Sequence, residues 1–342
     1  MSRSVTIADV AKAAGVHMAT VSRALNPQTQ SQVNKETIRR VQEAATELGY
    51  VPNVMARGLR TKLSMTIGVV IPDLTNPIFP PIVRGIENFL APRGYTALLA
   101  NTDGRESLET SAVNSLMERQ VDGFIMATGL EDHPLLAQLW DQRIPAVMAN
   151  RGSEKTPYPL VTGNDTSGIV AAVQLLKKLG HRDIVHLAGP ATFSTSKIRS
   201  EAIVKACQEE GLRCTTVPAA ALTCEEGEKA MDTLLAQTHT FTAIQASNDL
   251  LALGALRSMR RHGLRCPDDI SVIGFNDMPF AEDFNPALTT VRVPLEEIGT
   301  ESARLLIESI NSGKRQSVVV TLPVSLIVRA STGPAPGRRA EV

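Results

Sequence analysis

The chain has 342 residues, of which 43% are hydrophobic, 20% charged and only 4% aromatic. At roughly 100–200 residues per domain that length predicts two or three globular units. The 23 Gly, 20 Pro and 4 Cys exclude collagen-like, disordered and disulfide-scaffold classes. Lys plus Arg and Asp plus Glu each number 35, a zero sum that speaks against a polyanion binder only if charge is spread evenly. It is not. Residues 1–62 hold nine basic and four acidic side chains, and the remainder carries a net charge of −5. A small basic head on a larger acidic body is a partner-binding asymmetry, and polyanions are the commonest partner.

Three short helical patterns fill the head. Thr6 caps the first, Ile7–Ala14, with the anion of Asp9 near the positive end of the helix dipole, and Gly15 is a left-handed stop. The second runs about Met18–Leu25. Asn34 caps the third, where Ile38, Val41, Ala45 and Leu48 recur on one face before Gly49 ends it. Two short helices joined by a glycine-containing turn, with a third packed beneath, make a helix-turn-helix. The competing reading is a three-helix bundle without DNA contact. Against it, the polar face of the second helix carries Thr20, Ser22 and Arg23, and Asn26 follows its end. Short donors suit phosphates, and the guanidinium fork suits guanine.

Beyond residue 63, apolar runs alternate with amphipathic helices. Strands are expected at Met65–Ile71, Tyr95–Ala100, Gly123–Ala127, Ala146–Ala149, Leu160–Thr162, Ile184–Ala188, Ala243–Ala246 and Ile270–Phe275. Helices are expected at about 79–91, 107–119, 167–179, 196–210, 225–236, 249–262 and 295–312. Such alternation predicts α/β lobes with parallel, doubly wound sheets and helices on both faces. Ligands bind these sheets at the carboxyl ends of strands. Polar pairs stand at five such ends: Asp73 and Asn76, Asn150 and Arg151, Asn164 and Asp165, Asn248 and Asp249, and Asn276 and Asp277. A helix cap or a turn asks for the same residue types, but five sets at equivalent ends look more like the lining of a cleft.

No G-x-G-x-x-G, P-loop, H-E-x-x-H or G-x-S-x-G motif occurs, and the six histidines are scattered. An enzyme is therefore not expected, nor a cofactor. Cys207, Cys214, Cys224 and Cys266 show no C-x-x-C spacing, so thiols in a reducing cytosol are expected rather than zinc. No apolar stretch approaches the roughly 20 residues a bilayer needs, and the N-terminus lacks a signal-peptide core. The expected location is cytoplasmic, at the nucleoid, with no membrane partner.

The runs VTIADVAKAAGV (5–16), TVSRALN (20–26), LGYVPN (48–53) and ARGL (56–59) resemble the LacI/GalR family of bacterial transcription regulators. The resemblance continues through IPDLTNPIF (71–79), LGHRDI (179–184), AGP (188–190), ASNDL (246–250), ALGA (252–255), DISVIGF (269–275) and PALTT (286–290), covering nearly the whole chain in order. It implies a homodimer across a pseudo-palindromic double-stranded DNA operator, most often as a repressor. By that resemblance Met18, Ala19 and Arg23 read bases in the major groove. Thr6, Ile7, His17, Thr20, Ser22, Asn26, Asn34 and Thr37 fall at DNA-backbone positions. His17 replaces the family's usual Ser; an imidazole is expected to cap poorly, although it can still donate to phosphate. Residues 53–59 resemble the hinge helix that enters the minor groove. Asn53, Ala56 and Arg57 flank that contact, and Leu59 is the wedge residue that kinks the duplex.

The resemblance also implies a body of the type I periplasmic-binding-protein fold, two lobes joined by crossovers near 160–165, 288–294 and 320–326. The implied organisation is a DNA-binding domain at 1–52 and a hinge and linker at 53–63. An effector-binding and dimerisation domain follows at 64–333, with an N-lobe of about 64–161 and 293–322 and a C-lobe of about 162–290 and 323–333. Residues 334–342 are expected to form a disordered tail. That tail lacks a leucine heptad, so a dimer rather than a tetramer is expected. Arg199 takes the family's effector-anchor position. Asn248 and Asn276 match further contacts, and Asp73, Asn76, Phe79, Asn150 and Asn164 sit on cleft-facing loops. Three departures stand out: Ala202-Ile203 replaces a Gly-aromatic pair, Leu222 replaces a stacking aromatic, and Asn276 replaces Asp. A pocket poor in flat aromatic faces favours a sugar or sugar acid over a purine, with Arg199 donating to hydroxyls or a carboxylate. The alternatives are a solute-binding receptor without DNA activity, and a regulator answering to a non-carbohydrate ligand or a protein corepressor.

Overall fold

The computed structural model describes residues 5–25, 29–50, 63–130, 132–153, 156–237 and 240–337. The chain divides into two compact units, residues 1–64 and 65–342. Asn26 and the hinge residues Asn53, Ala56, Arg57 and Leu59 lie outside the described residues.

The head consists of α1 (Ile7–Ala14), α2 (Met18–Ala24) and α3 (Lys35–Glu47). Val10, Ala11 and Ala14, Val21 and Ala24, and Val41, Ala44 and Ala45 meet in its core. Leu48, which periodicity places on the buried face of α3, is instead 38% exposed. The helix ends one residue earlier, Gly49 turns the chain through φ 64°, and Tyr50 packs against the core in its place.

The body begins with β1 (Thr66–Ile71), α4 (Phe79–Leu90), β2 (Thr96–Asn101), α5 (Glu106–Glu118), β3 (Gly123–Met126), α6 (Pro134–Asp141), β4 (Ala146–Ala149) and β5 (Leu160–Gly163). The chain then enters a second sheet with α7 (Asp165–Lys178), β6 (Asp183–Ala188), α8 (Ser194–Glu210), β7 (Arg213–Pro218), α9 (Cys224–Leu235), β8 (Ala243–Ala246), α10 (Asp249–Arg261), β9 (Ser271–Asn276) and β10 (Thr289–Arg292). It returns with α11 (Leu295–Ser312) and β11 (Val319–Leu322), and crosses once more into β12 (Ser325–Ile327). The first sheet has the order β11-β5-β4-β3-β1-β2 and the second β12-β10-β9-β8-β6-β7. Pairing is parallel except between β10 and β12, so the carboxyl ends of both sheets are free to carry loops. The three passages lie at Asn164, at Val293-Pro294 and at Pro323-Val324.

Central strands are buried along their whole length, as in β3, β4, β8 and β9, which is why they read as uninterrupted apolar runs. The periodicity misses α6, β7, β10, β11 and β12. Strands β7, β11 and β12 are edges with alternating or mostly exposed positions, so no apolar run marks them.

Each lobe contains one helix pair packed backbone to backbone. A β-carbon on Gly85 of α4 would collide with the Glu296 carbonyl of α11, and one on Gly299 with the Ile82 carbonyl. Likewise one on Gly227 of α9 would strike Leu251 of α10, and one on Gly254 would strike Cys224. The tail expected from 334 begins in contact with the fold: Ala335 is buried, and its N–H donates to the Leu179 carbonyl at 3.0 Å. Residues 338–342 lie outside the described residues.

Candidate functional site

The α2 helix has two distinct faces. Val21 and Ala24 are buried, while Met18, Ala19 and Arg23 are exposed and Thr20 and Ser22 half-buried. Three- and four-residue spacing therefore gathers Met18, Ala19, Ser22 and Arg23 on the outer side. Met18 is 46% exposed, a large apolar side chain held out in solvent. His17 caps this helix: its Nδ1 accepts the Ala19 N–H at 3.3 Å. The expectation that imidazole caps poorly is corrected, because an accepting Nδ1 puts the ring proton on Nε2 and leaves that N–H as a donor.

Thr6 is more committed than expected. Its N–H and hydroxyl both donate to the Asp9 carboxylate, at 2.9 and 2.7 Å, so any phosphate must compete for them. Ile7 packs partly against the head core and offers its side chain to the fold. Asn34 Oδ1 accepts the Thr37 N–H at 2.7 Å and caps α3.

In the body, the cleft is organised around Arg199, 3% exposed on α8. Its Nε donates to Asp165 Oδ2 at 2.7 Å, Nη1 to the Ser247 carbonyl at 2.6 Å, and Nη2 to Asn276 Oδ1 at 3.5 Å. The guanidinium lies 3.8 Å above the Phe275 ring. Burial pushes the Asp165 carboxyl above its ordinary range, opposed by Arg199. Beneath them His186 is fully buried, bonded to Gln245 Oε1 at 2.7 Å and Ser200 Oγ at 3.0 Å. Burial pushes its pKa down to about 4, so it is neutral scaffolding. Asp249 holds the β9 loop by accepting from Met278 N–H at 2.7 Å and Thr290 Oγ1 at 2.6 Å.

The N-lobe side of the cleft is formed by the end of β4. Asn150 is buried in a left-handed conformation at φ 66°, which turns Arg151 toward the other lobe. The Arg151 guanidinium stacks 4.0 Å over Phe193, and the Gly152 N–H donates to Ser194 Oγ at 3.0 Å. A cavity of about 560 Å³ opens beside this junction, lined by Gly152, Tyr158, Ser194, Ile198 and others. Arg199, Asn248 and Asn276 are absent from its lining, so it lies beside Arg199 rather than around it.

Several of the expected contact residues also have structural tasks. Phe79 is fully buried in the main core, because it opens α4 on its inward face. Asn164 is exposed, and its Oδ1 caps α7 by accepting the Ser167 N–H at 3.1 Å. Asp73 Oδ1 accepts from Thr75 N–H at 2.8 Å, and Asn76 Oδ1 from Ile78 N–H at 3.3 Å; both shape the β1–α4 loop. Asn248 caps α10 at Leu251 and donates from Nδ2 to the Leu222 carbonyl at 3.1 Å, so it fixes the loop that bears Leu222. Ala202 and Ile203 belong to the core, so that departure leaves the cleft unchanged. The motif reading placed Arg151 and Asp165 at strand ends without giving them a role, and it missed Phe193 and Ser247 altogether. Charge pairing was the available signal: a buried Arg demands a partner, and Asp165 opens the adjoining helix.

Residues 6–53 match the description Bacterial regulatory proteins, lacI family, and residues 173–332 match Periplasmic binding protein-like domain. The ribose operon repressor of Halalkalibacterium halodurans is 35% identical, over 96% of this chain and 97% of its own. The chain belongs to the LacI family. A lac repressor dimer solved with operator and the anti-inducer ONPF superposes with a TM-score of 0.85 at 28% identity, covering 97% of this chain and 100% of that one. A LacI-family regulator from Enterococcus faecium with bound ribose gives 0.70 at 30% identity, covering 79% and 99%. This LacI-family chain is thus a DNA-binding transcriptional regulator controlled by a ligand, with a helix-turn-helix head and a two-lobed α/β body. Among the described residues no helix is long and apolar enough to cross a membrane, and no cluster of His, Cys, Asp and Glu could hold a metal ion.

Proposed function

We propose that the protein is an operator-binding repressor that acts as a homodimer and is switched by a small carbohydrate seated between its lobes. The observation that carries this reading is Arg199, buried and held by Asp165 and Ser247 at the carboxyl ends of the second sheet. A ribose operon repressor and a ribose-bound regulator among its relatives support a sugar-sized ligand. The operator of the lac repressor dimer supports the DNA arrangement.

In this reading Met18, Ala19 and Arg23 face base edges. Arg23 donates to guanine, and Met18 and Ala19 offer apolar contact. His17 Nε2, Thr20, Ser22, Asn26, Asn34 and Thr37 serve the phosphates, with the N-termini of α1 and α3 adding backbone N–H groups. Residues 53–59 form the minor-groove hinge with Leu59 as wedge. In the cleft, Arg199, Asn150, Asn276 and Leu222 face the effector, while Asn248, Asp73 and Asn76 hold the loops around it. Phe79, fully buried in the core, takes no part in binding in this reading, and Asn164 stands on an exposed loop beside the cleft.

Selection of DNA fragments from a random pool by the full-length protein tests this reading. An inverted-repeat consensus whose affinity changes at least fivefold on adding a sugar is the expected result. An asymmetric or absent consensus overturns the DNA half. A consensus indifferent to every sugar overturns the ligand half.

A further inference from the structure

We propose that the effector is an anion: a small polyhydroxylated molecule whose carboxylate or phosphate is held between Arg151 of the N-lobe and Arg199 of the C-lobe. The inference rests on the carbohydrate reading above and narrows it.

Arg151 is 4% exposed, as deeply buried as the anchor itself. Its Nε is buried without a hydrogen-bond partner, and no carboxylate among the described residues pairs with its guanidinium. One face rests on Phe193, which leaves the in-plane N–H edge unused. A guanidinium presents its Nε–H and Nη–H in parallel, the geometry that grips a carboxylate or phosphate with two bonds. Burying such a charge without a counter-charge is unfavourable, and stacking on one aromatic ring offsets only part of that.

The second cation sharpens the imbalance. Burial, with the nearby Arg199 charge adding to it, pushes the Arg151 pKa down to about 10, and Arg151 is still cationic at neutral pH. Asp165 is engaged by Arg199 through Nε. Among the described residues the Asp165 carboxylate is thus taken up by Arg199, and Glu201, which lines the neighbouring cavity, is exposed to solvent. Among the described residues Arg151 is left without a counter-charge, which a bound anion would supply. A neutral sugar would leave Arg151 as a buried cation without a counter-ion. Because the two arginines come from different lobes, the same anion ties those lobes together.

The test is calorimetric titration of the full-length protein, at fixed ionic strength, with matched pairs: D-ribose against D-ribose 5-phosphate, and D-glucose against D-gluconate and D-glucose 6-phosphate. Inorganic phosphate alone and a nucleoside monophosphate complete the set. At least one charged sugar is expected to bind tenfold or more tightly than its neutral parent, with an affinity that falls as salt rises. Preference for gluconate assigns a carboxylate, and preference for a sugar phosphate assigns a phosphate. Arg151→Gln is expected to abolish the charged-over-neutral ratio, and Arg151→Lys to keep part of it. Neutral sugars that bind as tightly as their anions, or an unchanged ratio in Arg151→Gln, overturn the inference and leave the carbohydrate reading standing. Binding of the nucleotide but of no sugar overturns the carbohydrate reading and leaves the anion. No binding by any anion overturns the proposal. If Arg151→Gln does not fold, the wild-type ratio and Arg151→Lys decide.

Discussion

Arg199 and Asp165 form a buried ion pair, Nε to Oδ2 at 2.7 Å, with each side chain only 4% exposed. Such a pair contributes little net stability against a well-packed apolar replacement, yet removing one partner strands the other charge, at a cost of about 3–5 kcal/mol. Arg199, proposed above as the ligand anchor, is thus also a condition of the fold around α7 and α8.

Arg199→Ala is accordingly expected to lose effector response and also to lower the melting temperature of the full chain. Adding Asp165→Asn should recover part of that loss, because the stranded carboxylate is gone, while effector response stays absent. Thermal unfolding of the wild type, both single variants and the double variant measures the coupling. If the single-variant losses simply add in the double variant, the two residues are energetically independent and the pairing argument fails.

Arg23→Ala addresses the head. One bidentate contact to guanine is worth roughly 1–3 kcal/mol of discrimination, so the ratio of operator to random-DNA affinity should fall by about 5- to 150-fold. Salt-dependent binding to any sequence should remain, since phosphate contacts supply it. Fluorescence anisotropy at two salt concentrations reads both quantities. An unchanged ratio would remove Arg23 from the bases.

His17 is expected to matter to the helix before it matters to DNA. Its Nδ1 bond to the Ala19 N–H is an N-cap, and replacing a capping side chain with Ala costs about 0.5–2 kcal/mol. Hydrogen exchange at Ala19 should therefore quicken in His17→Ala and be restored in His17→Asn. Equal exchange in all three proteins would show that the ring does not cap.

Asp249 gives the body a pH dependence with a definite sign. Burial, with the Asp277 charge adding to it, pushes its pKa up to about 7, whereas an unfolded Asp titrates near about 3.9. The folded chain therefore holds the proton more tightly between those values, so this residue's contribution to stability declines as pH rises from about 4 to about 7 and then levels off. Asp249→Asn keeps an acceptor for the Thr290 hydroxyl and removes the titration. The difference in melting temperature between the variant and the wild type, followed from pH 5 to pH 8, should change across that window. A difference constant with pH contradicts the shift.

Much of this was legible beforehand, because central strands and amphipathic helices announce themselves by apolar period. The helix-turn-helix follows from helical spacing in the head, whereas Arg199 is singled out only by the family resemblance. Edge strands β7, β11 and β12 were not legible, since half of each faces water and periodicity has nothing to register. Polar residues at strand ends were legible as a class but not by role. Asn150 and Asn276 adopt left-handed backbone and border the cleft, whereas Asn164 and Asn248 spend their oxygens on helix caps. The same amide serves either purpose, and only the backbone angle and the neighbouring N–H decide between them. Arg151 escaped a role for a related reason: its importance lies in a partner it lacks.

The glycine seams between α4 and α11 and between α9 and α10 bear on how a message can cross the body. Helices that meet backbone to backbone at paired glycines leave each lobe fewer internal ways to yield. Occupancy of the cleft then has less scope to dissipate as local rearrangement. It is expected to emerge as rotation about the three short connectors, much as force on a pair of stiff jaws appears at the pivot.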